Sequence, residues 1–326
     1  MTSNMKKILI TGGSGFIGTN LVGNLLDEGY ELLNLDKVAP RNKDQASVWK
    51  QVDLLDYDNM HKLITAFSPE AIVHLAAVTD LDGTTEEYYK ANTAGVDNLL
   101  KIAATLPNLA RVLLASSMYV CKPGYIPKGY DDYKPHTLYG KSKVDGELVV
   151  KNSPKQNFEW VIFRPTSIWG PWFGIPYIDF FNVVYQGRYY DFGSTCTKTY
   201  GYIENAVYQL KKLLTAPGIH GQTFYIGDKP PIPIAEWANE ISAEMGKGKI
   251  KKIPYLAIQA AATVGDVLAK FGVKFPMTSF RLTNMQTDNV LPLDNLYEIT
   301  GGSPVSRKAG VQNTVKWLRE HKGYKL

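Results

Sequence analysis

Short apolar runs alternate with stretches of helical spacing through the first half of the chain. Residues 6–10, 31–36, 48–52, 71–77, 111–117 and 160–164 read as six strands. Helices are predicted over 16–26, with Ile17, Leu21, Val22 and Leu25 on one face, and over 57–66 and 138–151. Another runs from Thr84 to about Thr105, because Thr84 and Glu87 have capping-box spacing. Strands apolar on both faces and separated by helices imply a parallel sheet covered on both sides. Right-handed crossovers then make the fold an α/β doubly wound sheet.

After Gly170 the texture changes. Aromatics and prolines crowd residues 169–202 (PWFGIPYIDFF, GRYYDFG), which reads as irregular structure with short helices. A helix over 203–214, a short strand over 223–226 and helices near 234–245, 256–271 and 311–321 follow. There is no internal repeat and no low-complexity tract.

Composition narrows the class. The 326 residues are 44% apolar and 21% charged, which excludes disordered and fibrous proteins. Thirty-six Lys and Arg against 31 Asp and Glu leave +5, too little and too mixed for a nucleic-acid partner. Cys121 and Cys196 lie 75 positions apart with no CxxC pair, so neither a disulfide framework nor a zinc cluster is expected, and a reducing cytoplasm suits the count. No His/Asp/Glu cluster has metal-ligand spacing, and no metal is predicted. The start resembles no targeting segment, and no stretch reaches the ~18 apolar residues of a membrane span. The basic run 247–252 (KGKIKK) could meet phosphates or a membrane surface; a solvated loop is the preferred reading.

The first strand leads into TGGSGFIG and then a helix. Gly13, Gly15 and Gly18 satisfy GxGxxG, and Gly12, Gly15 and Gly18 satisfy GxxGxxG. Glycine serves a tight turn, close backbone approach to a pyrophosphate, and close helix–strand packing, while the helix N-terminus holds the anion. Placement between strand and helix makes this otherwise common pattern a dinucleotide signature. Asp36, 18 residues past Gly18, suits a ribose diol and favours NAD over NADP, although Lys37 beside it could reach a 2′-phosphate. Asp53 and Leu54 could border the adenine or simply form a turn.

YxxxK occurs four times, at Tyr130/Lys134, Tyr139/Lys143, Tyr208/Lys212 and Tyr225/Lys229. The first and last run into prolines, and the third lies outside the six-strand region. Only Tyr139/Lys143 begins the helix after the fifth strand, where Ser116 and Ser117 end that strand and where such sheets bind ligands. His74, inside an apolar strand, reads as a hydrogen-bonded core histidine rather than a catalyst.

TGGSGFIG, Asp36, Asp53-Leu54, HLAA (74–77), Asn92, Ser117, YGKSK (139–143) and RPTSIWGP (164–171) occur in this order. Together they resemble the extended short-chain dehydrogenase/reductases, specifically the NAD-dependent epimerase/dehydratase group acting on nucleotide sugars. The resemblance implies a Rossmann-type NAD-binding domain over 1–169, with 199–228 returning to it. It also implies a smaller mixed α/β substrate domain over 170–198 and 229–326. NAD would touch Gly12, Gly15, Phe16, Ile17, Gly18, Asp36, Asp53, Leu54, Leu75, Ala76, Ala77, Asn92, Tyr139, Lys143 and Pro165. Substrate, a nucleotide-diphosphate sugar, would touch Thr79, Ser117, Met118, Ser167 and Lys198. Tyr139 would be the acid/base, Lys143 would hold the nicotinamide ribose, and Ser117 would orient the reacting oxygen. Working near neutrality asks a tyrosine of pKa ~10 to shift by ~3 units, about 4 kcal/mol, with Lys143 and cationic NAD⁺ as sources.

The departures also inform. Met118-Tyr119 stand where family dehydratases carry an Asp-Glu pair, which argues against 4,6-dehydration. Ser167 replaces a common Asn, and Lys198 a common Arg. The leading expectation is a nucleotide-sugar epimerase. A nucleotide-sugar ketoreductase or dehydrogenase comes second. A sterol- or flavonoid-type dehydrogenase and a non-catalytic dinucleotide-binding member follow. A homodimer through the helices near 84–105 and 138–151 is expected by the same resemblance.

Overall fold

In the computed structural model, which describes residues 5–273, 275 and 277–325, the six strands form in the first half. They are β1 (Lys7–Thr11), β2 (Glu31–Asp36), β3 (Trp49–Gln51), β4 (Ala71–His74), β5 (Arg111–Ala115) and β6 (Glu159–Pro165). The strand Thr223–Ile226 joins beyond β6, giving one sheet in the order Thr223–Ile226, β6, β5, β4, β1, β2, β3. Every pairing in it is parallel. The strand order reverses between β1 and β4, and that switch point opens a crevice at the carboxyl ends of the strands.

Helices α1 (Phe16–Asp27), α2 (Tyr57–Phe67), α3 (Ala94–Ala103) and α4 (Leu138–Lys151) cross between the strands. Each side of the sheet has its own apolar cluster. Leu9, Ile72, Val112 and Ile162 pack with Met60, Leu99 and Val150 on one. Ile8, Ile10, Val73 and Phe163 pack with Leu21, Leu25 and Leu210 on the other. The latter cluster continues without a break into Trp169, Phe181, Trp237 and Leu318. The Rossmann-type sheet and the later segments thus share one core.

Three boundaries differ from expectation by three residues or more, and the fifth strand ends at Ala115 rather than Ser117. The helix predicted from Thr84 is a 3-10 turn, Glu87–Asn92, followed by α3. Thr84 does not cap it; the hydroxyl of Thr85 accepts from Tyr88 N at 3.3 Å. The fourth strand stops at His74 because pairing with β1 stops at Thr11, which frees Leu75–Ala77 to line the crevice. The last helix starts at Arg307 rather than Val311, where Ser306 caps it by accepting from Ala309 N.

Past β6, α5 (Tyr177–Tyr185), α6 (Ile203–Thr215), α7 (Ile234–Glu244), α8 (Tyr255–Lys270), α9 (Ser279–Gln286), α10 (Asp294–Thr300) and α11 (Arg307–Lys322) follow in turn. Two-stranded pairs join Ser167–Trp169 to Tyr200–Tyr202, Thr197–Lys198 to Ile232–Pro233, and Tyr190–Asp191 to Lys251–Lys252. The sequence pattern did not predict α9, α10 or these short ladders. Each is too short to show a period, and the ladders join residues far apart in the chain.

Candidate active site

The crevice is a cleft of about 720 Å³ lined from the Gly-rich turn after β1, the loops after β2, β4, β5 and β6, and the start of α4. Glycine is required in its floor. Gly12 has φ +73°, and a Cβ there would stand 2.5 Å from Ala76 N, so the turns after β1 and β4 could not meet. A Cβ on Gly18 would lie 2.3 Å from Gly12 O. Gly15, the N-cap of α1, offers no side-chain cap. The first-turn N–H groups, at Phe16, Ile17 and Gly18 along the cleft, have no intrahelical acceptor and suit an anion.

Asp36 ties the glycine turn to the loop after β2. Its Oδ2 accepts from Ser14 N at 3.0 Å and its Oδ1 from Val38 N at 3.1 Å. Burial pushes this carboxyl up, and the backbone hydrogen bonds only partly offset it. Asp53 and Leu54 line the same end, where Asp53 Oδ1 accepts from Leu55 N at 2.9 Å and thus also forms a turn. Lys37 leans 3.5 Å from Asp53 on the surface.

Ser117, Tyr139 and Lys143 all face the cleft. Ser117 caps the short turn Met118–Val120, its Oγ accepting from Tyr119 N at 3.1 Å, which leaves its own O–H for the Tyr139 phenol. Thr137 caps α4 by accepting from Gly140 N at 3.0 Å. A Cβ on Gly140 would lie 2.3 Å from Tyr119 O, so glycine lets α4 close on that turn and carries Tyr139 toward Ser117. Tyr139 is nearly buried between the rings of Tyr89 and Tyr119, each 6.2 Å away. Burial pushes the phenol up, and a hydrogen bond with Ser117 pulls it partly back. The protein's own groups thus hold Tyr139 protonated, contrary to the shift expected from Lys143. The ammonium of Lys143 instead donates to Ala115 O at 2.6 Å. Burial pushes Lys143 down to about 8, against the opposing charge of Glu147.

One turn beyond Lys143, Glu147 anchors α4 to the sheet. It accepts from Arg164 Nε and Nη2 of β6, both at 2.8 Å, and from Tyr133 Oη at 2.8 Å. Arg164 also donates to Tyr130 O at 2.6 Å and Tyr225 Oη at 3.2 Å. His74 lies beneath, 2.7 Å from Thr11 Oγ1. Burial, with help from the charge of Lys143, pushes it down to about 3. It is a neutral core histidine, as its strand position implied.

Leu75, Ala76, Ala77, Thr79, Met118 and Pro165 also line the cleft. Asn92 does not, nor does it sit within a long helix. It is buried behind the wall, where its amide bonds both Val78 N (2.8 Å) and Val78 O (2.9 Å) and reaches Ser142 Oγ (2.9 Å) on α4. Ser167 lies behind Tyr177, with which it shares a hydrogen bond, and Tyr177 is the group that faces the cleft. Lys198 sits in the short ladder with Ile232–Pro233 and bridges to Asn289, whose amide reaches Met118 Sδ at 3.8 Å. Burial pushes Lys198 down.

Sequence reasoning missed the crossing of the cleft by residues 171–177. Arg41 Nη1 donates to Trp172 O at 2.7 Å, Asn20 Nδ2 to Pro171 O at 3.0 Å, and the rings of Phe16 and Phe173 lie 6.4 Å apart. The aromatic crowding there was visible, but partners some 150 positions away were not. No group of His, Cys, Asp and Glu suited to a metal occurs among the described residues, and none of their helices is long and apolar enough to cross a membrane.

A sequence model of the NAD dependent epimerase/dehydratase family matches residues 8–182, more than half of the chain. A 3-beta-hydroxysteroid dehydrogenase of Mycolicibacterium neoaurum is 26% identical over 85% of this chain and 81% of its own length. A UDP-glucose 4-epimerase of Vibrio cholerae is 29% identical over 74% of this chain and 76% of its own. Among solved structures, a UDP-glucose 4-epimerase of Thermotoga maritima with UDP-glucose superimposes with a TM-score of 0.74 at 19% identity, covering 96% of this chain and 99% of that one. A parallel sheet with this switch point, a glycine cradle that a single Cβ would fill, and the family match together define the class. The chain belongs to the NAD-dependent epimerase/dehydratase family, is an enzyme, and uses NAD.

Proposed function

We propose that the enzyme is a nucleotide-sugar epimerase that retains NAD throughout its cycle. The observation that carries this reading is the crossing of the cleft by residues 171–177. The Arg41–Trp172 and Asn20–Pro171 hydrogen bonds join this segment to the loop after β2 and to α1, an arrangement that would slow cofactor exchange. A closed redox cycle has no need of exchange. Relatives named as UDP-glucose 4-epimerases support the substrate class.

NAD, when bound, supplies reversible hydride exchange with the sugar carbon. The first-turn N–H groups of α1 would hold its pyrophosphate, and Asp36 would accept from its adenosine ribose. Lys143 would hold the nicotinamide ribose with the N–H bonds that Ala115 leaves unused. Ser117 donates to the reacting sugar oxygen. Tyr139 takes the hydroxyl proton as the carbon is oxidised and returns it after the keto intermediate has turned over. Because burial raises the phenol, ionising it near neutrality needs at least ~4 kcal/mol, which the positive charge of the bound cofactor would have to supply, since the protein's own groups leave Tyr139 protonated. Asn92 positions the wall by pinning Val78. Two copies would pair through α3 and α4, where Leu148 is exposed.

The test is to denature the purified protein and identify released nucleotide by mass spectrometry. Stoichiometric NAD⁺ is expected. Tyr139→Phe should lower turnover by about 10²–10⁴-fold while keeping its NAD; full turnover would sink the assignment. A second reading, a dehydrogenase or ketoreductase of an apolar substrate, is favoured by the lining Met118, Tyr119, Ile168, Phe173, Ile175 and Tyr177. An empty protein that turns over exogenous NADH or NADPH with a ketone would establish it.

A further inference from the structure

Helix α8 is held on one side only. Ala262 and Gly265 are its buried positions, packed with Phe192 and Leu282 and against the backbone of Met277. The opposite stripe, at i, i+4, i+8 and i+11, is Leu256, Ala260, Val264 and Val267, all exposed, and it runs on into Phe271 beyond the helix end. Leu256 is 75% exposed and Phe271 78%, and among the described residues nothing covers them. The helix carries only two charges. Lys270 ends it, and Asp266 is taken up in capping Ser279 N at 3.0 Å.

The charge distribution names the occupant. Residues 247–286 hold seven Lys and Arg against one acid, leaving 29 against 30 in the rest of the chain. The chain's whole positive excess therefore flanks this apolar face. Lys249, Lys251 and Lys252 are exposed just ahead of α8, and Lys270 and Arg281 at its C-terminal end and on α9. An apolar stripe with basic residues at both ends matches an anionic lipid surface, acyl region to the stripe and headgroup phosphates to the lysines. Sixteen residues span about 24 Å, short of the ~30 Å hydrocarbon core, so the helix can lie in the interface but not cross it.

We propose that the exposed face of α8, with the flanking basic residues, docks this enzyme on an anionic bilayer surface. The basic run is then a headgroup contact rather than a solvated loop. The dock is connected to the catalytic cleft, because α9 leads directly to Asn289 and thence to Met118. The proposal is independent of the sugar assignment and would survive its failure.

The experiment is co-sedimentation of the full-length protein with phosphatidylcholine vesicles, with and without phosphatidylglycerol, alongside light scattering without lipid. Binding to phosphatidylglycerol vesicles that weakens with salt is expected. Each Lys→Gln change at 249, 251 or 252 should lower partitioning about fivefold, and Leu256→Glu with Val267→Glu should abolish it. NAD-induced thermal protection in every variant confirms that it is folded. Absence of binding to phosphatidylglycerol vesicles would overturn the proposal. So would an oligomer that the double Glu variant disperses, since a second copy would then own the face.

Discussion

Replacing Arg164 by Met would leave Glu147 buried without its principal partner. Both groups are almost wholly enclosed, Arg164 at 0% and Glu147 at 3% exposure. In the wild type, burial alone would raise the Glu147 carboxyl, but the two hydrogen bonds and the charge of Arg164 win and hold it below its usual 4.5. Loss of one partner of a buried pair costs about 3–5 kcal/mol. The variant has an escape, since protonating Glu147 at pH 7 from a pKa of 4.5 costs about 3.4 kcal/mol. With Tyr133 and Lys151 still near, the deficit at pH 7 should be about 3 kcal/mol. That is a large share of the ~5–15 kcal/mol that stabilises a typical protein.

The sign of the pH dependence inverts in the variant. Wild-type Glu147 contributes stability that is present above pH 4.5 and lost as the pH falls. An unpaired buried carboxylate titrates above 4.5, so the variant loses stability as the pH rises through that value. Urea denaturation should therefore show the Arg164→Met deficit shrinking to about 1 kcal/mol at pH 5. Adding Glu147→Met should recover at least half of the loss at pH 7, because an apolar pair of similar volume needs no charge partner. A deficit equal at both pH values would refute the account. Activity should fall with stability, since α4 carries both Tyr139 and Lys143.

His74, pushed down to about 3, binds a proton in the unfolded chain but not in the folded one between about pH 3 and 6.5, so stability is lost as the pH falls below 6.5. His74→Asn, which still offers Thr11 an amide, should lose about 2 kcal/mol less than wild type between pH 7 and 5 in urea titrations; identical losses would show that the histidine is not the titrating group. Gly18→Ala, whose Cβ would meet Gly12 O, should cost about 1–3 kcal/mol and remove thermal protection by NAD, measured by scanning fluorimetry.

Local chemistry made much of this protein legible. The bounds of β2 and α4 and the strand Thr223–Ile226 follow from periodicity and flanking turns, and the glycine turn announces a dinucleotide wherever it joins strand to helix. YxxxK was ambiguous at four places, and topology alone pointed to Tyr139/Lys143. The break between the turn Glu87–Asn92 and α3 was not readable. It comes with Asn92 turning inward to hold Val78 and Ser142, a tertiary demand that helix propensity does not register. The same holds for Ser167 and Lys198, placed by homologous position rather than by contact.

What the sequence by itself determined was the strands and crossover helices of the sheet, the sheet's class and the residue types a dinucleotide requires. These arise from interactions among neighbours a few residues apart, which a linear pattern records. Only the tertiary structure decided that Arg41 reaches Trp172 across the cleft, that Arg164 and Glu147 clamp the catalytic helix, and that α8 keeps one face uncovered. Those facts depend on which distant surfaces meet, and burial, charge pairing and exposure exist only once the chain has closed on itself.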